Sequence, residues 1–164
     1  MPAVSDTSPI SALAIIGRLD LLKQQFGDVS IPEGVHGELE RIEDPAAKKS
    51  IDEATRDGWL RIVRCKDKGL AATLSLTLDV GEAEAIALSL ECSPSRLIID
   101  ELEGRRVARN LNVPVVGTLG ILLKARREGV IANLGEEVMS LRSKAGFFIS
   151  PLLEREFLRE AGEI

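Results

Sequence analysis

The sequence predicts an α/β fold with an open, mostly parallel sheet covered on both faces by helices. Three observations predict it. Short apolar runs bounded by Asp, Gly or Pro read as buried strands, and segments with helical spacing alternate with them. At 164 residues and 45% hydrophobic, the chain is long enough for one compact domain with a sizeable core, expected to span residues 1–164.

The first strand is expected at Ala3-Val4-Ser5. A helical region follows, marked by Ile10, Leu13, Ala14, Leu21 and Leu22 and interrupted near Gly17. Val29-Ser30-Ile31 reads as the second strand, and Val35, Leu39 and Ile42 mark the helix after it. Another helix, carrying Ile51 and Ala54, stops at Gly58, and Trp59 to Val63 forms the third strand. From Val80 to Glu91 the residues Ala83, Ile86, Ala87 and Leu90 define an amphipathic helix. Leu97-Ile98-Ile99 is the fourth strand, and the helix after Asp100 presents Leu102, Val107, Ala108 and Leu111. Val113 to Val116 is the fifth strand, and the rest is helical: Thr118 to Arg127, Leu134 to Ser143 and Pro151 to Ala161. Ser150 offers the last of these a capping hydroxyl, and Pro151 is pre-set for its first position.

Composition excludes several classes. The longest apolar stretches, VPVVG and LGILL, fall far below the roughly 20 residues a membrane helix needs. No basic segment followed by an apolar one opens the chain, so a soluble cytoplasmic protein is expected, with no membrane partner. Cys65 and Cys92 lack metal-ligand spacing and read as small buried hydrophobes. A net charge of −5 and 3% aromatic residues argue against a simple polyanion-binding module, which needs a basic field or stacking rings. They leave a nuclease open, because bound metal offsets negative charge.

The main functional clue is a set of acids where strands should end and helices begin: Asp6, Glu38, Glu82 and Asp100. In an open α/β sheet, ligands bind beyond the carboxyl ends of the strands, near a switch in strand order. Asp6 and Asp100 directly follow apolar runs; Glu82 lies in the first turn of its helix, and Glu38 about one turn into its own. Each also has a structural reading. Asp79-Val-Gly-Glu82 and Asp100-Glu-Leu-Glu103 fit capping-box spacing, and Glu38 sits in an acidic helix segment, HGELERIED. Their joint occurrence favours a site, since crowded carboxylates repel unless a cation lies between them. Oxygen ligands of this kind suit Mg²⁺ or Mn²⁺. His36, the one histidine, reads as a partly exposed helix residue rather than a ligand or triad member.

Five segments, SDTSPISAL, IPEGVHGEL, GEAEAIALSLE, LIIDELEGRRVARNL and VPVVGTLGILLKARREGVI, run in order from Ser5 to Ile131. Together they resemble the PIN domain nucleases, in particular the PIN-like proteins related to VapC toxins. The resemblance implies a three-layer α/β/α sandwich with a mostly parallel central sheet and an acidic cluster that binds Mg²⁺ or Mn²⁺ for RNA cleavage. It places the family's acids on Asp6, Glu38, Glu82 and Asp100. The third is Glu here where the family usually has Asp, and the GTLG segment from Gly117 to Gly120 is a second departure from the common toxin pattern. Glu84 is the alternative at that position, but two residues along a helix turn the side chain by about 200°, so only one of Glu82 and Glu84 should face a metal.

Among supporting residues, Thr7 and Ser8 follow Asp6 and are candidates to hydrogen-bond a carboxylate or a metal-bound water, with Ser8 equally a helix cap before Pro9. Arg105 and Arg106 are candidates for substrate phosphate or for ion pairs with neighbouring Glu, and Thr118 opens the helix after Val115-Val116. Lys124, Arg126 and Arg127 read as a solvated face. The expected activity is therefore metal-dependent hydrolysis of RNA phosphodiesters, as the toxin of a toxin–antitoxin pair with a small antitoxin partner, in a homodimer. The alternative is a catalytically weak PIN-like regulator that binds RNA or protein. A receiver-type phosphoryl-transfer domain is a third class, but neither VRCKDKG nor VPVVGTLG supplies its acceptor Asp and late Lys.

Overall fold

The computed structural model describes residues 2–92 and 95–164. Five strands, β1 (Ala3–Ser5), β2 (Val29–Ile31), β3 (Leu60–Ile62), β4 (Arg96–Ile98) and β5 (Val115–Val116), form one sheet in the order β3-β2-β1-β4-β5. Every pairing in it is parallel, with Val4 opposite Ser30 on one side and Leu97 on the other. Strands this short hold because both faces are buried: Ala3 joins the core on one side and Val4 the core on the other, and Leu97, Ile98 and Ile99 alternate likewise.

Helices α1 (Thr7–Ile15), α2 (Asp20–Phe26), α3 (Glu33–Glu40), α4 (Pro45–Arg56), α8 (Thr118–Arg127) and α9 (Leu134–Ala145) send their apolar residues into the larger core. Helices α6 (Val80–Glu91) and α7 (Leu102–Asn110) cover the opposite face, with the short α5 (Lys68–Leu74) packed against α6. This is the three-layer α/β/α arrangement the sequence predicts. The first helical region breaks where expected, at Gly17, whose φ of 74° is a left-handed conformation that suits glycine.

Several elements differ from the sequence expectation: β3 and β5 are shorter than the runs Trp59 to Val63 and Val113 to Val116. The fourth strand runs Arg96–Ile98, one residue earlier than the apolar run, although Ile99 stays fully buried behind it. Helix α5 has no counterpart in the apolar pattern: it buries only Ala71, and its one local signal is Asp67, whose side chain accepts from Leu70 N–H. The last helix, α10 (Pro151–Glu160), is capped by Ser150 as expected and buries no residue completely. No helix among the described residues is long and apolar enough to cross a membrane.

Candidate functional site

Strand order reverses between β1 and β4: from β1 the sheet grows through β2 and β3 to one side, and from β4 through β5 to the other. A crevice at the carboxyl ends of these two strands is where an open α/β sheet binds ligands. Asp6 follows β1 directly, its N–H donating to the carbonyl of Ile98 at 2.9 Å, and Asp100 lies two residues beyond β4. The topology therefore brings the first and last predicted acids to one point.

Asp6 occupies the N-cap position of α1, yet its side chain makes no capping bond. It is only 4% exposed. Burial pushes its carboxyl up to about 7, against the lowering effect of the Thr7 backbone bond, with the charges of Asp79, Glu38 and Asp100 adding to the rise. The Thr7 hydroxyl beside it is buried with no hydrogen-bond partner. Ser8 lies inside the first turn of α1, because the helix starts at Thr7; it does not cap the helix.

Glu82 is 8% exposed and is pushed up to about 8, first by burial, then by its hydrogen bond and charge repulsion with Asp79 and by the charges of Asp6 and Glu101. Asp79 caps α6, accepting from Glu82 N–H at 2.8 Å. Asp79 thus caps α6 as the DVGE spacing suggests, and its charge also acts on Asp6 and Glu82. Glu84 points elsewhere: it accepts from Gly34 N–H at 2.9 Å. The 200° turn along α6 thus resolves the pair, with Glu82 toward Asp6 and Glu84 toward α3.

Asp100 accepts from Thr118 twice, from N–H at 2.8 Å and from the hydroxyl at 2.6 Å, and so ties the end of β4 to the start of α8. Burial raises its pKa, opposed by these two bonds and by Arg105. Thr118 is fully buried. Arg105 donates to the carbonyl of Ile99 at 2.9 Å, next to Asp100, and burial lowers its pKa. Arg106 instead forms an exposed pair with Glu103. Capping at Asp100-Glu-Leu-Glu103 does not form, since the N-cap of α7 is Glu101 and makes no side-chain bond.

Three glycines make room for these groups. A Cβ at Gly81 would lie 2.6 Å from Glu38 Oε1, one at Gly104 3.1 Å from Glu82 Oε2, and one at Gly117 2.9 Å from Asp100 Oδ1 and 2.8 Å from Arg105 Nη1. Glu38 therefore reaches α6 across the α3–α6 seam. Outside the crevice, His36 pairs with Glu40 on the surface of α3, and Lys124, Arg126 and Arg127 pair with Glu128, Glu163 and Glu160. Both cysteines are free thiols, and burial pushes both upward in pKa.

The crevice presents hard oxygen donors, the kind a divalent cation takes. Asp6 and Glu82 are buried and, among the described residues, make no ion pair, and the Thr7 hydroxyl beside Asp6 is unpartnered. Among the described residues, no group of three or more Asp, Glu, His or Cys side chains stands close enough together to hold an ion as placed.

The model of a family described as PIN domain matches residues 2–163, almost the whole chain. The chain belongs to the PIN domain family and has its nuclease-type fold. A comparison with curated proteins finds no match.

Proposed function

We propose that this member of the PIN domain family is a ribonuclease that hydrolyses RNA phosphodiester bonds with Mg²⁺ or Mn²⁺. One observation carries the reading: Asp6 and Glu82 are buried without a basic partner among the described residues, next to Glu38 and Asp100 at the switch point of the sheet. Buried carboxylates are otherwise paired, bound to metal or held neutral by a raised pKa, and a bound cation would favour the ionised form of these two.

Asp6, Glu38, Glu82 and Asp100 would hold the cation through hard carboxylate oxygens. When bound, such an ion supplies the charge that lowers the pKa of water and stabilises a departing phosphate-ester oxygen. The chain's own residues prepare the site. Thr118 engages both oxygens of Asp100 and fixes its orientation, and Arg105 sits against the same carboxylate. Asp79 fixes the first turn of α6, and Gly104 leaves space for the Glu82 carboxylate. The Thr7 hydroxyl is available to orient a carboxylate or a water. Substrate contacts at Ser8 and Arg105 belong to the same proposal, whereas Thr118, being buried, acts through Asp100.

The likeness to VapC-type proteins extends the proposal to a cytoplasmic toxin restrained by a small antitoxin, and to a homodimer. The apolar face of α1 packs inside the chain, so α10, with Leu152 67% exposed, is the better dimer surface of the two terminal helical regions. A small DNA-binding protein encoded immediately upstream would support the toxin role, and its absence would count against that role alone.

Cleavage of mixed-sequence single-stranded RNA with Mn²⁺, Mg²⁺ or EDTA, beside Asp100→Asn, tests the activity. Metal-dependent cleavage that the variant lacks supports the nuclease. Equal activity in the variant removes Asp100 from the mechanism. No cleavage by folded protein favours the second reading, a PIN-like binding regulator, which the open spacing of the carboxylates also favours.

A further inference from the structure

A second feature shares this edge of the sheet. A cavity of about 350 Å³ lies between the starts of α3 and α6 and the helix α5, lined by Glu33, Arg64, Lys68, Ala71, Val80 and Glu84 among others. Glu33 follows β2 and Arg64 follows β3, so the cavity opens at the carboxyl ends of the strands, as the acidic crevice does. β3 lies two strands from β1, a separation of about 10 Å. Val80 and Glu84 fall on one face of α6 and Glu82 on the other, so a single helix start serves both places.

The lining combines three kinds of group. Arg64 pairs with Glu33 at 3.3 Å, but both side chains are mostly exposed, so the pair is weak and the guanidinium can turn to another anion. Lys68 makes no ion pair among the described residues. Glu84 is fixed: its Oε2 accepts from Gly34 N–H, an approach that a Cβ at position 34, only 3.0 Å away, would crowd. Its Oε1 has no donor among the described residues, so that oxygen can accept from a ligand. Ala71 and the half-exposed Val80 supply apolar surface without an aromatic ring. Cys65 also lines the cavity, but burial and Glu91 push its thiol up to about 11, which keeps it protonated and unreactive.

We propose that this cavity binds a nucleotide flanking the scissile bond, with its phosphate on Arg64 and Lys68 and the amino group of its base on Glu84 Oε1. The assignment rests on the nuclease reading for its place on the substrate, but not for the binding itself. A carboxylate accepts from an exocyclic amino group such as N4 of cytosine. Uracil presents carbonyl oxygens on both sides of its one edge N–H and repels the carboxylate. With no aromatic ring to stack on every base alike, this hydrogen bond sets the preference.

The test needs no cleavage. Full-length protein in EDTA is titrated with CMP, with UMP and with inorganic phosphate, following the amide signals of Gly34 and Lys68 by NMR. CMP should shift both and bind roughly tenfold more tightly than UMP, the scale of one charge-assisted hydrogen bond. Glu84→Gln keeps an acceptor for Gly34 and should abolish the preference for CMP, while Arg64→Ala with Lys68→Ala should weaken both nucleotides; an unchanged spectrum from core amides verifies each variant's fold. No shift at Gly34, equal affinity for CMP and UMP, or a preference that survives in Glu84→Gln would overturn the proposal. Cleavage that depends on Asp100 without these shifts leaves the nuclease and removes the cavity; shifts without cleavage keep the nucleotide site and remove the nuclease.

Discussion

Buried acids meet two different fates in this molecule. Around α9 and α10 they are paired: the buried Glu137 accepts from Arg18 at 2.6 Å, and the partly buried Glu163 accepts from Arg126 and from the amides of Leu134 and Gly135. At the crevice beside β1 and β4, Asp6 and Glu82 are as buried as Glu137 and make no ion pair among the described residues. A fold that needs a buried carboxylate for its own stability supplies a partner, because an uncompensated buried charge is strongly unfavourable. When ionised, the unpaired acids therefore oppose stability, and on the proposed function a divalent cation would compensate them. The same residue type holds the structure together in one region and is left without a basic partner, among the described residues, in the other.

The sharpest break of this contrast is catalytic. Asp100→Asn should lower RNA cleavage by more than roughly a hundredfold, beyond the 10–100-fold typical of losing a supporting partner. Kinetics on folded variant measure it, and a smaller loss would demote Asp100 to a supporting role.

Stability should then move in opposite directions in the two regions. Arg18→Ala leaves Glu137 without its base and should destabilise by about 1–3 kcal/mol, reduced by the partial exposure of Arg18. Glu82→Gln removes an unpaired buried charge while keeping a donor for Asp79, and should stabilise the metal-free protein at pH 8 by about 1–2 kcal/mol. Urea unfolding of both variants checks the signs. If both destabilise, the crevice is an ordinary part of the core.

Acidity sharpens the comparison. Asp6 and Glu82 hold their protons more tightly when folded, near 7 and 8 against ordinary values of 3.8 and 4.5. Their contribution to stability is complete below the ordinary values and is lost as pH rises through the folded ones. Glu163 has the reverse sign: backbone amides and Arg126 outweigh burial and lower its pKa, so its stabilisation is present above 4.5 and fades as pH falls through the lowered value. The melting temperature without metal should fall from about pH 5 to pH 8, and added Mn²⁺ should restore it more at pH 8, because ligands must lose protons to bind. A metal response independent of pH would separate these two acids from the ion.

The smallest expected effect is steric. Gly81→Ala sets a methyl 2.6 Å from Glu38 Oε1 and should reduce cleavage by roughly tenfold or less through misplacement, with little change in folding stability. Steady-state rates beside a melting curve separate the two.

Much of this was legible in the sequence, for physical reasons that differ by residue. Strands showed because β1, β2 and β4 are buried on both faces and so are apolar runs. Asp6 and Asp100 showed because strand ends at a switch point are local features. Helix α5 did not, since seven residues that bury one alanine carry no period. Nor did the pairing of Arg18 with Glu137, 119 residues away, or the space that Gly81, Gly104 and Gly117 leave for distant carboxylates. Such partners are set by packing, and the chain reveals them only when folded. Asp79 lies between these cases: its cap was readable, but its charge on Asp6 and Glu82 was not.

The most direct test of the central claim compares thermal melting of the wild-type protein and Asp6→Asn at pH 8, in EDTA and in Mn²⁺. In EDTA the variant should melt higher, because it lacks an uncompensated buried charge, and Mn²⁺ should raise the wild type while leaving the variant nearly unmoved. A variant that melts lower in EDTA and gains as much from Mn²⁺ as the wild type would contradict the account, since Asp6 would then be compensated within the fold and the cation held elsewhere.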